Sequence, residues 1–283
     1  MTCVQPLGER LLQASRLLAR VSDTPRLDAE ILLAHALGFR RSQLLARLRD
    51  VMTAEGFDDL VERRLTYEPI AYILGEWEFF GLDLSVEPPL LVPRPETEHL
   101  VEAMLDEVGD REARVMDIGT GTGCVAVAVA HNARRARVTA TDISALALDV
   151  AQSNALRHGL ADRVRFLPGS LFDALPPGTA LFDVIGSNPP YVEDCAWPEL
   201  PAVIRLHEDP KALLAGNDGL DVIRLLIRDA PRFLRPGGLL AFEIGMGQDT
   251  AVRHMLLNAG YERVRFRPDL AGIPRIALAC RPR

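Results

Sequence analysis

From about residue 113 to the C-terminal end, short strand-like runs alternate with helical segments, and this alternation restricts the fold more than any other feature. Strands that alternate with helices pair in parallel, because a helical crossover returns the chain to the start of the next strand. The predicted strands are Arg114–Ile118, Arg137–Thr141, Val164–Leu167, Leu181–Ser187, Leu239–Ile244, Val264–Arg267 and Arg275–Ala279, and the predicted helices are Cys124–Ala133, Ala145–His158, Leu220–Leu234 and Thr250–Ala259. The last two strands are close in sequence and predict an antiparallel edge pair. The pattern as a whole predicts an α/β fold, with a Rossmann-like sheet and helices on both faces.

The first part of the chain has a different pattern. Apolar residues recur at helical spacing up to about residue 75, and no strand pattern is present there. The segment from Trp77 to Val86 then alternates as in a β-hairpin, and the Pro-Arg-Pro sequence at 93–95 is expected to form a rigid joint. We therefore predict a small all-helical domain at 1–75, a β-hairpin and proline linker at 76–93, and the α/β domain at 94–283.

Composition and charge narrow the function classes. The chain has 283 residues, of which 48% are hydrophobic and 25% are charged, the mix of an ordinary globular protein. It has no apolar run long enough to span a membrane and starts without a signal-peptide pattern, so a cytoplasmic protein is expected. The net charge of −7 disfavours a protein that binds nucleic-acid phosphates through a basic surface.

The cysteines and histidines give no sign of a metal centre. The four cysteines, at positions 3, 124, 195 and 280, form no Cys-x-x-Cys pair, and the six histidines are scattered. A disulfide framework and a structural zinc site are therefore both disfavoured. We expect neither a metal cofactor nor a disulfide.

A glycine-rich loop follows the first strand of the α/β region. The segment Asp117–Gly123 reads Asp-Ile-Gly-Thr-Gly-Thr-Gly, and a helix is expected to begin immediately after it. It lacks the G-x-G-x-x-G spacing of dinucleotide sites and the lysine of a P-loop. Its G-x-G-x-G spacing resembles the S-adenosylmethionine loop of Rossmann-like methyltransferases. Asp142, nineteen residues after Gly123, ends the second strand, where a carboxylate can accept hydrogen bonds from a ribose diol. The competing interpretation is a tight strand–helix turn that binds nothing.

The segment Asn188-Pro189-Pro190-Tyr191 follows a later strand and is expected on the same edge of the sheet. A planar NH₂ group is a poor nucleophile, so a site that methylates it must hold both of its hydrogens. The side-chain oxygen of Asn188 and the carbonyl of Pro189 are suited to accept them, because the two prolines stiffen the backbone. The ring of Tyr191 can cover the planar group. We predict catalytic roles for Asn188, Pro189 and Tyr191 and substrate binding by all four residues, although Asn-Pro is also an ordinary turn signal.

At this point the chain resembles a known family, the release factor glutamine methyltransferases. The resemblance covers nearly the whole chain and rests on segments in both halves. Besides the glycine loop and Asn188–Tyr191, the segments are Asp28–His35, Pro69–Gly75, Val92–Glu98, Gly216–Leu220 and Asp269–Gly272. DNA adenine methyltransferases share Asn188–Tyr191, whereas Pro93–Glu98 together with the helical domain is more specific to this family.

The resemblance implies a class I methyltransferase sheet and S-adenosylmethionine as methyl donor, with S-adenosylhomocysteine as product and no metal. It implies that the loop residues Gly119, Thr120, Gly121, Thr122 and Gly123 line the methionine and ribose parts of the cofactor. Asp142 would hold the ribose hydroxyls, Leu171 would pack on the adenine, and Asn188 would also lie near the cofactor. An acidic residue often precedes the adenine-packing position in the family, whereas this chain has Ser170.

The resemblance also implies a substrate. Asn188 to Tyr191 would hold the glutamine of the Gly-Gly-Gln motif of peptide chain release factors, whose side-chain amide nitrogen (N5) is methylated, and the helical domain would help to dock the release factor. The chain is expected to act as a monomer, with no membrane and no direct nucleic-acid partner. Two alternatives are a nucleic-acid adenine or cytosine amino-methyltransferase and a non-enzymatic S-adenosylmethionine-binding protein. Glu243, at the end of a strand, fits a position near the substrate and a simple loop cap equally well.

Overall fold

The computed structural model describes residues 5–283. The chain divides into two compact units: a helical unit, made of the residues up to Glu76 together with Leu200–His207, and a sheet unit, made of Trp77–Glu199 and Glu208–Arg283. Nothing in the sequence pattern indicated that Leu200–His207 belongs with the N-terminal helices. The division at 75 and 93 into a docking domain, a linker and a catalytic domain stays a prediction.

The helical unit is built on leucine-rich helices. It contains α1 (Leu7–Leu18), α2 (Pro25–Ala36), α3 (Arg41–Leu45), α4 (Phe57–Leu65), α5 (Ile70–Leu74) and, from the later segment, α9 (Ala202–Arg205). Leu7, Leu11 and Leu18 lie on one face of α1 and are fully buried. This spacing of apolar side chains produces an amphipathic helix whose stability comes from packing its face into a core.

A buried ion pair connects two of these helices. The Nε of Arg64 in α4 donates to Oδ2 of Asp28 in α2 at 2.8 Å, and each side chain is 8% exposed. Removing one member of a buried pair leaves an unpaired charge, which typically costs about 3–5 kcal/mol. Two positions along α2, Glu30 receives hydrogen bonds from Arg26 and Arg41 at 2.6 and 2.7 Å. The acidic residues of the segment 28–35 therefore hold the helices together.

The sheet unit contains a seven-stranded sheet of order β5-β4-β3-β6-β7-β9-β8. A hairpin of β1 (Glu76–Phe79) and β2 (Leu82–Ser85) precedes it, and its strands are β3 (Ala113–Ile118), β4 (Ala136–Asp142), β5 (Val164–Pro168), β6 (Phe182–Ser187), β7 (Leu234–Glu243), β8 (Glu262–Pro268) and β9 (Pro274–Cys280). The first five of these strands pair in parallel, and β9 runs antiparallel to both β7 and β8. The predicted α/β fold is confirmed.

Helices cover both faces of the sheet, as predicted. They are α6 (Glu98–Val108), α7 (Cys124–Asn132), α8 (Ala145–Arg157), α10 (Asp221–Asp229) and α11 (Asp249–Asn258). On one face α6 and α7 join a buried core with side chains such as Val115 and Val138, and on the other α10 and α11 pack with side chains such as Met116 and Ile185. Successive strand residues therefore point to opposite cores.

One predicted helix ends early. The segment expected to be helical over Leu220–Leu234 forms α10, then a 3₁₀ turn at Ala230–Arg232, and β7 already begins at Leu234. Pro231 lies inside this turn. Proline has no N–H to donate and its ring crowds the preceding turn, so the α-helix cannot continue through it.

A fully buried asparagine ties three parts of the sheet unit together. Asn154 in α8 is 0% exposed. Its Oδ1 accepts the backbone N–H of Ser85 at 2.7 Å, and its Nδ2 donates to the carbonyls of Ser85 at 3.0 Å and Thr122 at 2.9 Å. The amide thus satisfies backbone groups of the hairpin and of the glycine loop at the same time. Such a side chain is stabilising because each buried polar group left without a partner costs about 1–3 kcal/mol.

We expect Asn154→Leu, which removes all three hydrogen bonds at similar volume, to lower the free energy of unfolding by about 3 kcal/mol or more. Asn132→Leu is the matched control, because Asn132 bonds only the carbonyl of Ala128 within its own helix and is solvent-exposed. The control should change the free energy of unfolding by less than about 1 kcal/mol. Chemical denaturation of both variants checks this, and equal small effects would show that Asn154 does not link these elements.

Candidate active site

The ends of four parallel strands define one edge of the sheet. β3 ends at Ile118, β4 at Asp142, β6 at Ser187 and β7 at Glu243. Ile118 and Ser187 are register partners, and the hydroxyl of Ser187 donates to the carbonyl of Ile118 at 2.8 Å. Because these two residues immediately precede the glycine loop and Asn188–Tyr191, the structure places both predicted segments side by side. Ligands of open α/β sheets bind at such an edge.

The glycine loop is held in a conformation that few other residues adopt. Gly121 has φ +54° and Gly123 has φ +82°, both in the left-handed region. A Cβ at Gly123 would lie 2.8 Å from the Cβ of Ala151, so glycine there lets α8 approach the loop. A Cβ at Gly119 or Gly121 would meet nothing within 4 Å, so the loop backbone borders open space.

The two threonines of the loop face inward. Thr120 and Thr122 are 4% and 1% exposed, and the hydroxyl of Thr120 donates to Oδ2 of Asp117 at 2.6 Å. The carbonyl of Thr122 accepts the hydrogen bond from Asn154 described above. A ligand in the open space beside the loop would therefore meet backbone groups of these residues rather than their hydroxyls.

Asp142 is bonded to the glycine loop. Its Oδ2 accepts the N–H of Gly121 and its Oδ1 accepts the N–H of Ser144, each at 2.9 Å. The side chain is half-buried, and each carboxylate oxygen has a further lone pair that can accept a hydroxyl. These features fit a ribose diol next to the loop.

Leu171 lies near Asp142. The carbonyl of Asp142 accepts the N–H of Gly169, and the carbonyl of Leu171 accepts the hydroxyl of Thr141 at 3.2 Å. Leu171 is half-buried and has φ +48°, an unusual value for a residue with a branched side chain. The segment that follows β5 thus brings the backbone of Leu171 close to the end of β4, and the Leu171 side chain packs partly against the core on one face of the sheet. Ser170, which precedes it, is exposed.

Two groups near the loop, the buried Asp117 and the half-buried Cys124, have raised pKa values. Burial raises the pKa of Asp117 to about 7, with the charge of Asp142 acting in the same direction, while hydrogen bonds from Thr120 and the backbone of Ala126 oppose the rise. Burial and the charge of Asp117 raise the pKa of the Cys124 thiol to about 12, so Cys124 is not a thiolate nucleophile. Cys124, Cys195 and Cys280 are free thiols, and Cys3 lies outside the described residues.

Backbone contacts hold the Asn188–Tyr191 segment on both sides. The N–H groups of Tyr191 and Val192 donate to the carbonyl of Leu213, and Nε2 of Gln248 donates to the carbonyl of Tyr191 at 3.0 Å. Pro189 is buried, whereas Pro190 and Tyr191 are half-buried. The backbone directly after the predicted acceptor residues Asn188 and Pro189 is therefore held in place at the edge of the sheet.

The side chains of this segment join a buried hydrogen-bonded chain. Nδ2 of Asn188 donates to Oγ1 of Thr97 at 3.0 Å, and the hydroxyl of Thr97 donates to Oε2 of Glu243 at 2.7 Å. The hydroxyl of Tyr191 donates to Oε1 of Glu243 at 3.0 Å. Thr97 and Glu243 are 1% and 2% exposed. Sequence reasoning assigned no side-chain role to Thr97 and left Glu243 undecided, although Thr97 lies within the segment 92–98 that carries the family resemblance.

The joint before Thr97 is also anchored. The Nη2 atom of Arg94 donates to both carboxylate oxygens of Glu208, at 2.6 and 2.7 Å. Glu208 is 4% exposed. Glu208 belongs to the sequence His-Glu-Asp-Pro at 207–210. In this chain the glutamate of that segment has a clear structural partner in the Pro-Arg-Pro joint.

Among residues 5–283, no group of three or more His, Cys, Asp or Glu side chains is arranged to hold a metal ion. Over the same described range, no helix is both long and apolar enough to cross a membrane.

Comparisons with known proteins agree with this geometry. Residues 9–75 match the family described as PrmC N-terminal domain, and residues 95–214 match the family described as Methyltransferase small domain. A protein of Moorella thermoacetica named release factor glutamine methyltransferase is 44% identical over 287 residues, covering 99% of each chain. One of Neisseria gonorrhoeae with the same name is 44% identical and covers 91% of this chain and 94% of that protein. The chain belongs to the release factor glutamine methyltransferase family. The resemblance stated from the sequence segments is thereby confirmed.

Solved structures with similar folds are more distant. A methyltransferase from Pyrococcus furiosus is 21% identical, with a TM-score of 0.55, and covers 72% of this chain and 91% of that one. The hMettl16 catalytic domain is 18% identical, with a TM-score of 0.62, and covers 76% of this chain and 83% of that one. At this identity the likeness concerns the fold alone, and it confirms the predicted class I methyltransferase architecture.

The raised pKa of Asp117 predicts a pH-dependent stability. Because its pKa is higher in the folded protein than in the unfolded chain, the folded state holds a proton that the unfolded state releases at intermediate pH. The contribution is favourable at low pH and is lost as the pH rises through about 7. Asp117→Asn should therefore flatten the decrease in the free energy of unfolding between pH 5 and 8, by about 2 kcal/mol. Urea denaturation at both pH values measures this, and identical pH dependence in the two proteins would contradict it.

Proposed function

We propose that this chain transfers a methyl group from S-adenosylmethionine to the side-chain amide nitrogen (N5) of the glutamine in the Gly-Gly-Gln motif of peptide chain release factors. The observation that carries the proposal is the position of Asn188 directly beside the glycine loop, through the Ser187–Ile118 pairing. The substrate follows from full-length membership of the family, whose relatives carry that activity in their names.

The residues around the glycine loop suit S-adenosylmethionine. The backbone of Gly119 to Gly123 would line its methionine and ribose parts, with Gly119 and Gly121 leaving room for close approach. The carboxylate of Asp142 would accept ribose hydroxyls, and the side chain of Leu171 would pack on the adenine. The bound cofactor supplies an electrophilic methyl group on a sulfonium, and S-adenosylhomocysteine remains after transfer.

The residues at 188–191 would hold the nucleophile. Oδ1 of Asn188 and the carbonyl of Pro189 would each accept one N–H of the glutamine amide, so that its nitrogen faces the methyl group. Pro190 keeps the segment rigid, and the Tyr191 ring, fixed through its hydroxyl on Glu243, would cover the planar amide. Orientation of this kind lowers a barrier by as much as about 7–11 kcal/mol and needs no strong base. The amide nitrogen gains the methyl group and loses one proton, which passes to solvent.

We further propose how the rest of the chain takes part. The helical domain at 1–75 would help to dock the release factor, the linker at 76–93 would connect it, and residues 94–283 would carry out methyl transfer. We expect a cytoplasmic monomer that binds no nucleic acid directly. The net charge of −7 supports this over the nucleic-acid amino-methyltransferase alternative.

A methyl-transfer assay tests the substrate assignment. The purified chain would be incubated with labelled S-adenosylmethionine and one of three acceptors: a release factor, a copy with the Gly-Gly-Gln glutamine changed to alanine, or duplex DNA. We expect label only on the intact release factor. Label on the altered copy or on DNA would overturn the assignment while leaving the fold unchanged.

Asn188→Ala tests the acceptor site. It removes one of the two proposed acceptors, so we expect turnover to fall by about a hundredfold or more, the order found when one oriented hydrogen-bond partner of a reacting group is deleted. Binding of S-adenosylhomocysteine and the melting temperature should stay close to wild type. Asn258→Ala, at an exposed position of α11, is the matched control. Full turnover by Asn188→Ala would refute the role given to Asn188.

A further inference from the structure

We infer that Thr97 and Glu243 are positioning residues that set which way the side-chain amide of Asn188 faces, so that its oxygen is available to the substrate. This inference rests on the proposed function. It concerns two residues that lie outside both the glycine loop and the Asn188–Tyr191 segment.

The hydroxyl of Thr97 has a single hydrogen, so it can donate only one hydrogen bond. That hydrogen lies on Oε2 of Glu243, at an oxygen–oxygen distance of 2.7 Å. A carboxylate accepts hydrogen bonds and donates none, so the direction of this bond is determined by Glu243. The Thr97 oxygen then has only lone pairs to offer to its other neighbour.

That neighbour is the amide of Asn188. Its two ends differ little in shape, and the hydrogen-bond network decides which end faces a given partner. Because Thr97 can only accept here, the NH₂ end faces it, at 3.0 Å. The oxygen of Asn188 is therefore released from this contact and turned the other way, where it can accept an N–H. In the reversed orientation, an NH₂ group would confront the NH₂ group that is to be methylated.

The far end of the chain keeps Glu243 in the acceptor role. Its second oxygen receives the hydroxyl of Tyr191 at 3.0 Å, so both carboxylate oxygens have donors. Burial and the charge of Glu96 raise the pKa of Glu243, while the hydrogen bonds from Thr97 and Tyr191 and the charge of Arg275 act to lower it and favour the carboxylate. Burial and the charge of Glu243 raise the pKa of Tyr191, so the phenol keeps its hydrogen and remains a donor.

The use of the Thr97 hydroxyl is not explained by local structure. Thr97 precedes α6 and is itself the last residue of a 3₁₀ turn, Pro95–Thr97, so its backbone is already helical, with φ −67° and ψ −19°. Here the side chain makes no capping hydrogen bond, and its partners are 91 and 146 residues away in sequence. A hydroxyl that bonds a buried carboxylate and a strand-end amide, both on other elements, points to a role in arranging Asn188.

The first test compares two substitutions of Thr97. Thr97→Val keeps the shape but loses the hydroxyl, whereas Thr97→Ser keeps the hydroxyl. We expect Thr97→Val to reduce kcat per folded enzyme by about tenfold to a hundredfold, the order expected for a misdirected hydrogen bond at a reacting group. The dissociation constant of S-adenosylhomocysteine should change less than about threefold, a factor too small to reflect loss of a hydrogen bond. Thr97→Ser should have a kcat within about threefold of the wild-type value, because it keeps the hydroxyl.

Thr139→Val is the matched control, because Thr139 is a half-buried threonine in the middle of β4. It should leave turnover unchanged. A purely structural role of Thr97 would instead lower the melting temperature of Thr97→Val and leave kcat per folded enzyme near wild type, and that result would overturn the inference.

A second variant keeps the test decisive if Thr97→Val does not fold. Glu243→Gln keeps the shape of the side chain but introduces an NH₂ group that can donate to Thr97. The Thr97 hydroxyl would then donate to Asn188, which reverses the direction of both hydrogen bonds. We expect a loss in kcat of about tenfold, and a non-additive effect when it is combined with Thr97→Val, because both act through Asn188. Full activity of Glu243→Gln, or losses that simply multiply, would contradict the inference.

If wild type methylates no release factor, the proposed function fails; if wild type and these variants methylate it equally, only the positioning role fails.

Discussion

The parallel direction of β3, β4, β6 and β7 is the constraint on which the rest of the site depends. Parallel strands end at the same edge of the sheet, so the four segments that follow them lie at one edge whatever the sequences of the loops are. The pairing of Ile118 with Ser187 makes this explicit, because the glycine loop and the asparagine segment begin one residue later on adjacent strands. An antiparallel arrangement would send one of the two segments to the opposite edge.

Buried polar groups then turn this coarse arrangement into a fixed one. Asn154 joins the hairpin to the glycine loop, Asp142 joins the glycine loop to its own strand end, and Glu243 joins Thr97 to Tyr191. Each of these side chains forms at least two hydrogen bonds, and together the bonds link separate parts of the sheet unit. In a buried site such contacts are strong when complete and unfavourable when a partner is missing, so they favour one arrangement over its neighbours. That rigidity suits a reaction in which orientation is the main contribution to the rate.

Much of this could be predicted from sequence because it depends on short-range patterns. Alternating strands and helices predicted the parallel sheet, and the glycine spacing, Asp142 and Asn188–Tyr191 predicted where the edge would carry a site. Other features could not be predicted, since they join residues far apart along the chain. The contact of Thr97 with Glu243 spans 146 residues, and that of Arg64 with Asp28 spans 36. The prediction that the helix starting at Leu220 continues to Leu234 was wrong. The apolar residues keep their helical spacing past Pro231, although the proline ends the helix.

The class of fold, the family and the small set of residues at the ends of the strands can be inferred from the sequence, because periodicity, glycine spacing and proline act over a few residues. How those residues are used depends on the way distant elements pack together. The amide of Asn188 has two ends that the sequence does not distinguish, and its orientation depends on a hydroxyl and a carboxylate brought to it from other elements. Hydrogen bonds have a direction, and that direction exists only once donor, acceptor and carboxylate are packed together away from water.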